Sequence, residues 1–552
     1  MSSWEESPAP PPPAGDPDGR TDAGGGSADD DREDGAVVVL PTREDELARA
    51  AAPVAGGPAG RRVRTSRHPL RAALAGGSAL GLLVLAGAVL LRQHCRETLW
   101  AAPGLYTHAC YSDVPLVFRG AYLDEVVPYF ERYERADFLD APFGVGWLLW
   151  GLGRLAGVAP GEETAGRDVF DASVVLAAVA LVVAVAGVVH LSARRPSDAL
   201  LLAGSPVVLV CALVGVQLVP VALAVAGLWA SARGRAVVGG LLLGLAALVA
   251  PLAGLVVVGA LLLVRWRRRR DDAVARAERP EPSAAAGPGD DLESQEQERP
   301  VLDAELRTAA AAALVWFAGG FPVLLDNVGV WLDAVTARVV AGAGYGSVWF
   351  LGDLLGVPPA DGTTTAASLV LRVVGVLGVV ALVLRAPRPP RVPVVALLLL
   401  VVALVTAPAL PPQAAVLVLP LAVLALPHWR LLLVWGAVEA AAATGTWLYL
   451  YGLAVPDRGL PPWAYALLVV ARLGALLVLA GRAVEVSLHP ERDAVRSPRS
   501  APSLGVDDPA LPPARRGSPE DEPGPAPAPT TGSGPVLRPA TAPGPPPAGT
   551  AR

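Results

Sequence analysis

The chain has 552 residues, 53% of them hydrophobic and 17% charged, with a formal net charge of −6 and a mean hydropathy of +0.46. Soluble proteins carry about 25% charge and about 45–50% apolar residues, and here the excess is gathered into long apolar runs between arginine clusters. That pattern excludes a soluble enzyme, a nucleic-acid binder, a secreted disulfide scaffold and a receptor with a single anchor. There is no Lys and no Ile, so every strong base is Arg and the hydrophobic load falls on Leu, Val and Ala.

Residues 1–60 hold thirteen Asp or Glu against Arg20, Arg32, Arg43 and Arg49, in a background of Pro, Gly and Ala. Such a segment buries too little apolar surface to offset its ordering entropy, so 1–69 is expected to be a disordered tail, and the Pro/Ser/Gly-rich stretch 497–552 another. Between them the reading is an N-terminal membrane half, 70–270, with a polar loop at 92–141, then a charged linker, 271–306, and a C-terminal membrane half, 307–496. A helix needs about 20 apolar residues to cross the hydrocarbon. The candidates in chain order are 72–91, 169–191, 198–215, 217–231, 236–250, 252–264, 308–326, 364–384, 392–407, 413–427, 431–452 and 463–482. The two segments that meet at Pro251 also read as one long broken helix. Continuous runs without strand-like alternation favour helices over a barrel, so the expected class is all-α, polytopic, with about 12 transmembrane helices.

Arg61, Arg62, Arg64, Arg67 and Arg71 precede the first span, which places the N-terminus in the cytoplasm by the positive-inside rule. Twelve crossings bring Arg194–Arg195, Arg233, Arg235, the block 265–270, the cluster 385–391, Arg430 and the C-terminal tail to the same side. The expected location is therefore a cell membrane, with both termini cytoplasmic. The apolar stretch 142–160 would invert every later cluster if it crossed, so it is expected to lie in the outer leaflet or to re-enter. The competing reading makes it a span and puts a compensating break in 169–191.

The loop 92–141 is the most polar sizeable segment facing away from the cytoplasm. Its Arg, acids and aromatics suit a lipid phosphate and a sugar; they equally suit an amphipathic interfacial helix with solvated charge. Cys95 and Cys110 both lie in it, and an oxidising exterior permits a disulfide between them. Closing such a loop stabilises by about 3 kcal/mol. Within predicted spans sit Arg372, Glu439 and Arg472. A charge at mid-bilayer costs about 2.5–3.5 kcal/mol, and Glu439 and Arg472, on consecutive antiparallel helices, are at depths that allow an ion pair; it reads as a packing pair or as part of a site.

The string CYSDVPLVFRG (110–120) closely resembles the first periplasmic loop of glycosyltransferase family 87. The likeness continues at GYGSVWFL (344–351), 411–439 and 447–481, so that it covers most of 70–496 in order. The family comprises GT-C-type mannosyltransferases that use polyprenyl-phosphate-mannose. The resemblance implies a GT-C-like fold and inverting transfer of a sugar, mannose in the family, from a polyprenyl-phosphate donor to an extracytoplasmic glycan or glycolipid acceptor. Asp113 would be the general base towards the acceptor hydroxyl. Its alternative reading is a helix N-cap ahead of a Pro. Arg119 and Arg338 are the candidates to bind the donor phosphate, and Tyr111, Tyr345, Trp349 and Gln413 to line one outward cavity, open sideways to lipid.

The chain departs from the family pattern in three places. An Asn-Trp-Asp string is replaced by Gly215-Val216-Gln217, a Lys-x-x-Pro string is lost around Ala250-Pro251, and an Asn-Lys pair is absent near Pro408. A second reading follows from these losses: a non-catalytic relative acting as a lipid-sugar carrier or envelope-assembly protein. The third, an ordinary transporter, lacks the inverted repeat and charged midplane pathway that would support it. The six His show no metal-ligand spacing and no Gly-rich phosphate loop follows a strand. No metal or cofactor is therefore assigned, although the sequence leaves room for a divalent ion beside Asp113. The expected partners are membrane lipid, the lipid-linked sugar and its acceptor, with no nucleic acid.

Overall fold

The computed structural model describes residues 69–131, 139–277, 290–340, 342–360 and 362–496, without the side chains of 275–277, 290–303 and 337–340. Apart from Pro69, both expected tails lie outside the described residues. In chain order the helices are α1 (Pro69–Leu90), α2 (Gln93–Glu97), α3 (Gly104–Thr107), α4 (Asp113–Gly120), α5 (Phe143–Ala156), α6 (Ala165–Leu191), α7 (Asp198–Ala203), α8 (Pro206–Cys211), α9 (Leu218–Ala232) and α10 (Ala236–Val249). There follow α11 (Pro251–Ala277), α12 (Asp290–Asp326), α13 (Val328–Val340), α14 (Phe350–Leu354), α15 (Thr363–Arg385), α16 (Val392–Val405), α17 (Ala414–Ala425), α18 (Trp429–Ala454) and α19 (Pro462–Leu488). Among the described residues six helices are long and apolar enough to cross a membrane: α1, α6, residues 304–326 of α12, α15, α18 and α19. The α7–α8 pair, α9, α10, α16 and α17 are apolar but shorter.

The short elements have local causes. Gly204-Ser205-Pro206 interrupts what the sequence presents as one span, 198–215. Pro206 has no N–H to continue α7, and Ser205 instead caps α8, its Oγ accepting from Val207 N at 3.2 Å. The segments either side of Pro251 are two helices that turn back on each other, because Gly254 of α11 lies directly against Leu243 and Ala247 of α10. The expected linker 271–306 is helical where α11 runs on to Ala277 and α12 starts at Asp290. Its Ala, Glu, Gln and Arg are strong helix formers, and Arg265 reaches Glu305 at 3.4 Å to bridge the two helices.

Small residues let the helices approach without a hydrophobic drive between them. On α10, Gly240 and Gly244 face the backbone of α12 at Thr308 and Ala312, where a Cβ would come within 2.3 and 2.6 Å of a carbonyl oxygen. The neighbours also fix direction. Gly187 and His190 of α6 lie beside Val225 and Trp229 of α9, so these two run parallel, whereas Gly227 meets Leu243 and Ser231 meets Gly239, so α9 and α10 run antiparallel. The start of α6 and the end of α10 therefore share one end of the bundle, here the upper end.

Helix α5 touches that end twice. Gly144, at its start, abuts Leu248 and Val249 of α10, and Gly153, near its finish, abuts Phe118 and Val169 of α6. Fourteen residues span about 21 Å, short of the roughly 30 Å of hydrocarbon. A helix with both ends on the same rim lies along it. At the lower end, Arg391 grips Asp493 (2.8 Å) and the terminal α17 carbonyls of Leu424 and Ala425 (2.9 Å each), and Arg267 holds the carbonyls of Leu384 and Ala386 at the foot of α15.

This placement of α5 makes a topological prediction. Single cysteines at Glu163→Cys and Ser197→Cys, tested with a membrane-impermeant thiol reagent, should be labelled from outside the cell and from the cytoplasmic side respectively. Labelling of Glu163→Cys from the cytoplasmic side would mean that 142–160 crosses.

Candidate functional site

The upper end contains two unwound connections, 212–217 between α8 and α9 and 406–413 between α16 and α17. Carbonyls in both, Leu213 and Val214 in the first and Pro408, Leu410 and Pro411 in the second, fall outside the helical ladder, which is tolerated at membrane depth only where protein supplies partners. Ser112 and Asp113 supply the first. Ser112 Oγ donates to Leu213 O at 2.8 Å, and the Asp113 amide donates to Val214 O at 2.6 Å. Arg472 of α19 supplies the second: its guanidinium donates to Leu410 O at 2.5 Å and Pro411 O at 3.0 Å, and to Glu439 Oε2 of α18 at 2.7 Å. Backbone bonds from Gly344 N to Pro408 O (2.9 Å) and from Leu410 N to Tyr345 O (3.1 Å) complete it.

These two repairs bring Asp113 and Gln413 together. Gln413 Nε2 donates to Asp113 Oδ2 at 2.8 Å, and the Tyr111 hydroxyl donates to the same carboxylate. Burial, and then the adjacent Asp113 charge, push the Tyr111 phenol well above its ordinary value, so it remains a protonated donor at every ordinary pH. Gly215 leaves the space beside them open: a Cβ there would stand 3.8 Å from Asp113 Oδ2, 3.9 Å from Gln217 Nε2 and 3.9 Å from Gln413 Cγ. One carboxylate and two amides thus converge on a bare glycine. Gln217 Oε1 is buried with no hydrogen-bond partner among the described residues.

Asp113 is the first residue of α4 and does not cap it. Its amide is committed to Val214 O and its carboxylate turns to Gln413 and Tyr111, while Ser112 occupies the N-cap position without a side-chain cap bond. The carboxylate is partly exposed. Cys95 and Cys110 form a disulfide with Cα atoms 5.8 Å apart, which ties α2 to the strand-like approach to Asp113. Tyr111 stacks on Trp447 of α18 at 4.6 Å, with Tyr106 beyond it at 6.3 Å.

The remaining sequence candidates are placed as follows. Arg119 is at the far end of α4, about 9 Å along the axis from Asp113, exposed, with its stem laid over Gly166 of α6. The structure does not bring it to the Asp113 carboxylate. Arg338 lies in α13, and its side chain is outside the described residues. Tyr345 packs edge-on to Phe350 and Tyr449 (4.9 and 6.3 Å), and Trp349 Nε1 donates to Thr406 O at 3.3 Å. Both brace the 406–413 connection, Trp349 at Thr406 and Tyr345 through its carbonyl at Leu410. Gln217, Ser112 and Trp447 were missed by the sequence reading, although Gln217 is the one polar side chain in the run 206–228 and marks itself by that.

Below Gln217 and Gln413 the same helix faces become apolar. Val221, Val225 and Leu228 of α9 and Leu417, Leu421 and Leu424 of α17 continue at helical spacing and line a narrow seam against α11 and α16. Comparison with protein-family models, curated proteins and solved structures yields no match.

The clasp carries a stability prediction. Glu439 and Arg472 are 1% and 3% exposed, and removing one member of such a pair strands the other, typically at about 3–5 kcal/mol. Arg472→Gln also frees two carbonyls, whereas Glu439→Gln leaves Arg472 holding both. Thermal unfolding in detergent should therefore rank wild type above Glu439→Gln and Glu439→Gln above Arg472→Gln; equal losses would show that the two carbonyl bonds contribute nothing.

Proposed function

We propose that this protein is an integral membrane glycosyltransferase that moves a sugar, mannose by resemblance, from a polyprenyl-phosphate donor to an extracytoplasmic acceptor. The observation that carries the reading is Asp113: a partly exposed carboxylate, oriented by Gln413 and Tyr111, at the end of the bundle opposite the arginine-rich rim. Twelve crossings, with the Asp113 end outside and both termini inside, satisfy the positive-inside rule and the alternating helix directions together.

An inverting transfer needs a base within hydrogen-bond reach of the attacking hydroxyl. Asp113 serves as that base, with one oxygen anchored by Gln413 and the carboxylate held in place by a phenol that does not titrate. The acceptor hydroxyl loses its proton to Asp113 as its oxygen bonds to the anomeric carbon, and the bond from that carbon to the lipid phosphate oxygen breaks. Gln217 Oε1, a buried acceptor with no donor among the described residues, is suited to a sugar hydroxyl. The Tyr111–Trp447 stack supports the recognition of a sugar face beside it.

A specific observation favours the second reading, a non-catalytic carrier or assembly protein. The position of the second family carboxylate is Gln217, and Arg119 points its stem away towards α6, so the leaving phosphate has no described cation beside Asp113. An assay separates the two. Membranes holding the wild-type chain should transfer label from polyprenyl-phosphate-mannose, and Asp113→Asn should lower the rate by about 10²–10⁴-fold without loss of the folded protein. Transfer absent from the wild type while labelled lipid still binds would establish the carrier reading, and transfer equal in both would remove Asp113 as the base.

A further inference from the structure

Arg372 is an ionised side chain within a membrane-length helix that the proposed reaction does not use. It lies on α15, nine residues after Thr363, or about 13 Å along the axis from the upper end. The residues on either side of it, Leu369, Val370, Leu371, Val373 and Val374, are exposed apolar groups of the kind that face lipid. The inward stripe of α15 changes character at Arg372. Above it are Thr364 and Ser368, both buried, and below it Val379 and Val383, packed in the apolar core. The polar half of the stripe thus ends on a guanidinium at the edge of the bundle.

The contacts of that guanidinium are incomplete. Nε donates to Thr406 Oγ1 at 3.3 Å, while Thr406 Oγ1 itself donates to Val402 O at 2.7 Å and Thr406 O accepts from Trp349 Nε1. Arg372 thus stands at the C-terminal cap of α16, where the helix dipole is negative but supplies only a partial charge. No ion pair with a described carboxylate includes it. Of the fully buried arginines, Arg472 has Glu439, Arg391 has Asp493, and Arg92 is enclosed within the bundle and held by the carbonyls of Ala88 and Val210, whereas Arg372 stands at a lipid-facing edge with a single side-chain partner. Helical side chains lean towards the N-terminus, which is the upper end for α15. The free edge of the fork is therefore carried upward, towards the depth at which headgroup phosphates lie, and a planar fork matches two phosphate oxygens.

We propose that Arg372, with Trp349 and Thr406 beside it, is a binding site for the phosphate of a net-anionic lipid, entered from the bilayer at the α15–α16 edge. The missing counter-charge is supplied by the lipid. The inference requires the membrane embedding but not the transferase chemistry, and the Asp113 assay does not decide it. Two lipids offer this chemistry, an anionic phospholipid of the bilayer and a polyprenyl phosphate.

The test is thermal unfolding of the full chain in uncharged detergent, titrated separately with short-chain phosphatidylglycerol, short-chain phosphatidylcholine, farnesyl phosphate and inorganic phosphate. For the wild type, phosphatidylglycerol, farnesyl phosphate or both should half-saturate at a concentration at least about tenfold below that of phosphatidylcholine; which of them does so identifies the source. Arg372→Gln should abolish the preference, and Arg154→Gln, an exposed arginine on α5, should keep it. If Arg372→Gln does not fold, Arg372→Leu, which places an apolar group in an apolar layer, carries the same comparison. No preference in the wild type, an undiminished preference in the Arg372 variants, or a response to inorganic phosphate equal to that of the lipids would overturn the proposal.

Discussion

A carbonyl that leaves a helix inside a bilayer has no water to turn to, and leaving it unsatisfied costs about 1–3 kcal/mol even by the protein scale. The upper end of this bundle is organised by that constraint. Two connections unwind there, and each is repaired by side chains and backbone borrowed from a distant part of the chain. Arg472 is the strongest repair, since one guanidinium satisfies Leu410 O and Pro411 O and is neutralised by Glu439. The connection it fixes is the one that delivers Gln413. Ser112 and Asp113 repair the other, and in doing so place the Asp113 carboxylate in reach of Gln413, 300 residues later in the chain.

The site that results is chemically economical. It has a single carboxylate, two amides and a phenol, arranged around a glycine that keeps the space open. Such a set can orient a sugar and remove one proton; it provides no described cation for a leaving phosphate at the same point. Arg472, the cation that holds the 406–413 connection, is spent on carbonyls and Glu439. That division of labour explains why the transfer and carrier readings both grow from one geometry, and why they part at the leaving group and not at the base.

Much of the fold was legible in the sequence because apolar run length is a local property. The expected segments coincide with helix for most of their length, except 198–215, which breaks at Gly204–Pro206 and unwinds from Ala212; the expectation that 142–160 does not cross rested on arginine parity alone. What escaped was decided by tertiary contact. The interruption at Gly204–Pro206 is written in its residues, but the role of the freed carbonyls at Leu213 and Val214 depends on Ser112 and Asp113 arriving from the loop. Cys95 and Cys110 could be paired from compartment and spacing, because they share one loop. Arg119 was read as a neighbour of Asp113 from proximity in sequence; six residues along a helix turn it to the other side, over Gly166. Gln217 was noted only as a departure from a family string, yet it stands beside Asp113 in space. The extension of α11 and α12 into the charged segment 271–306 follows from helix propensity, which a reading based on hydropathy discounts.

The account stands on the claim that Arg472 holds the 406–413 connection and through it sets Gln413 against Asp113. Hydrogen–deuterium exchange on the full chain in lipid nanodiscs measures this directly, with Arg472→Lys as the variant, since Lys keeps the charge for Glu439 but not the fork for two carbonyls. The predicted result is faster exchange across 406–417 and across 111–116, with α18 and α19 themselves unchanged. Faster exchange confined to α18 and α19 around residues 439 and 472, with both connections as protected as in the wild type, would contradict it.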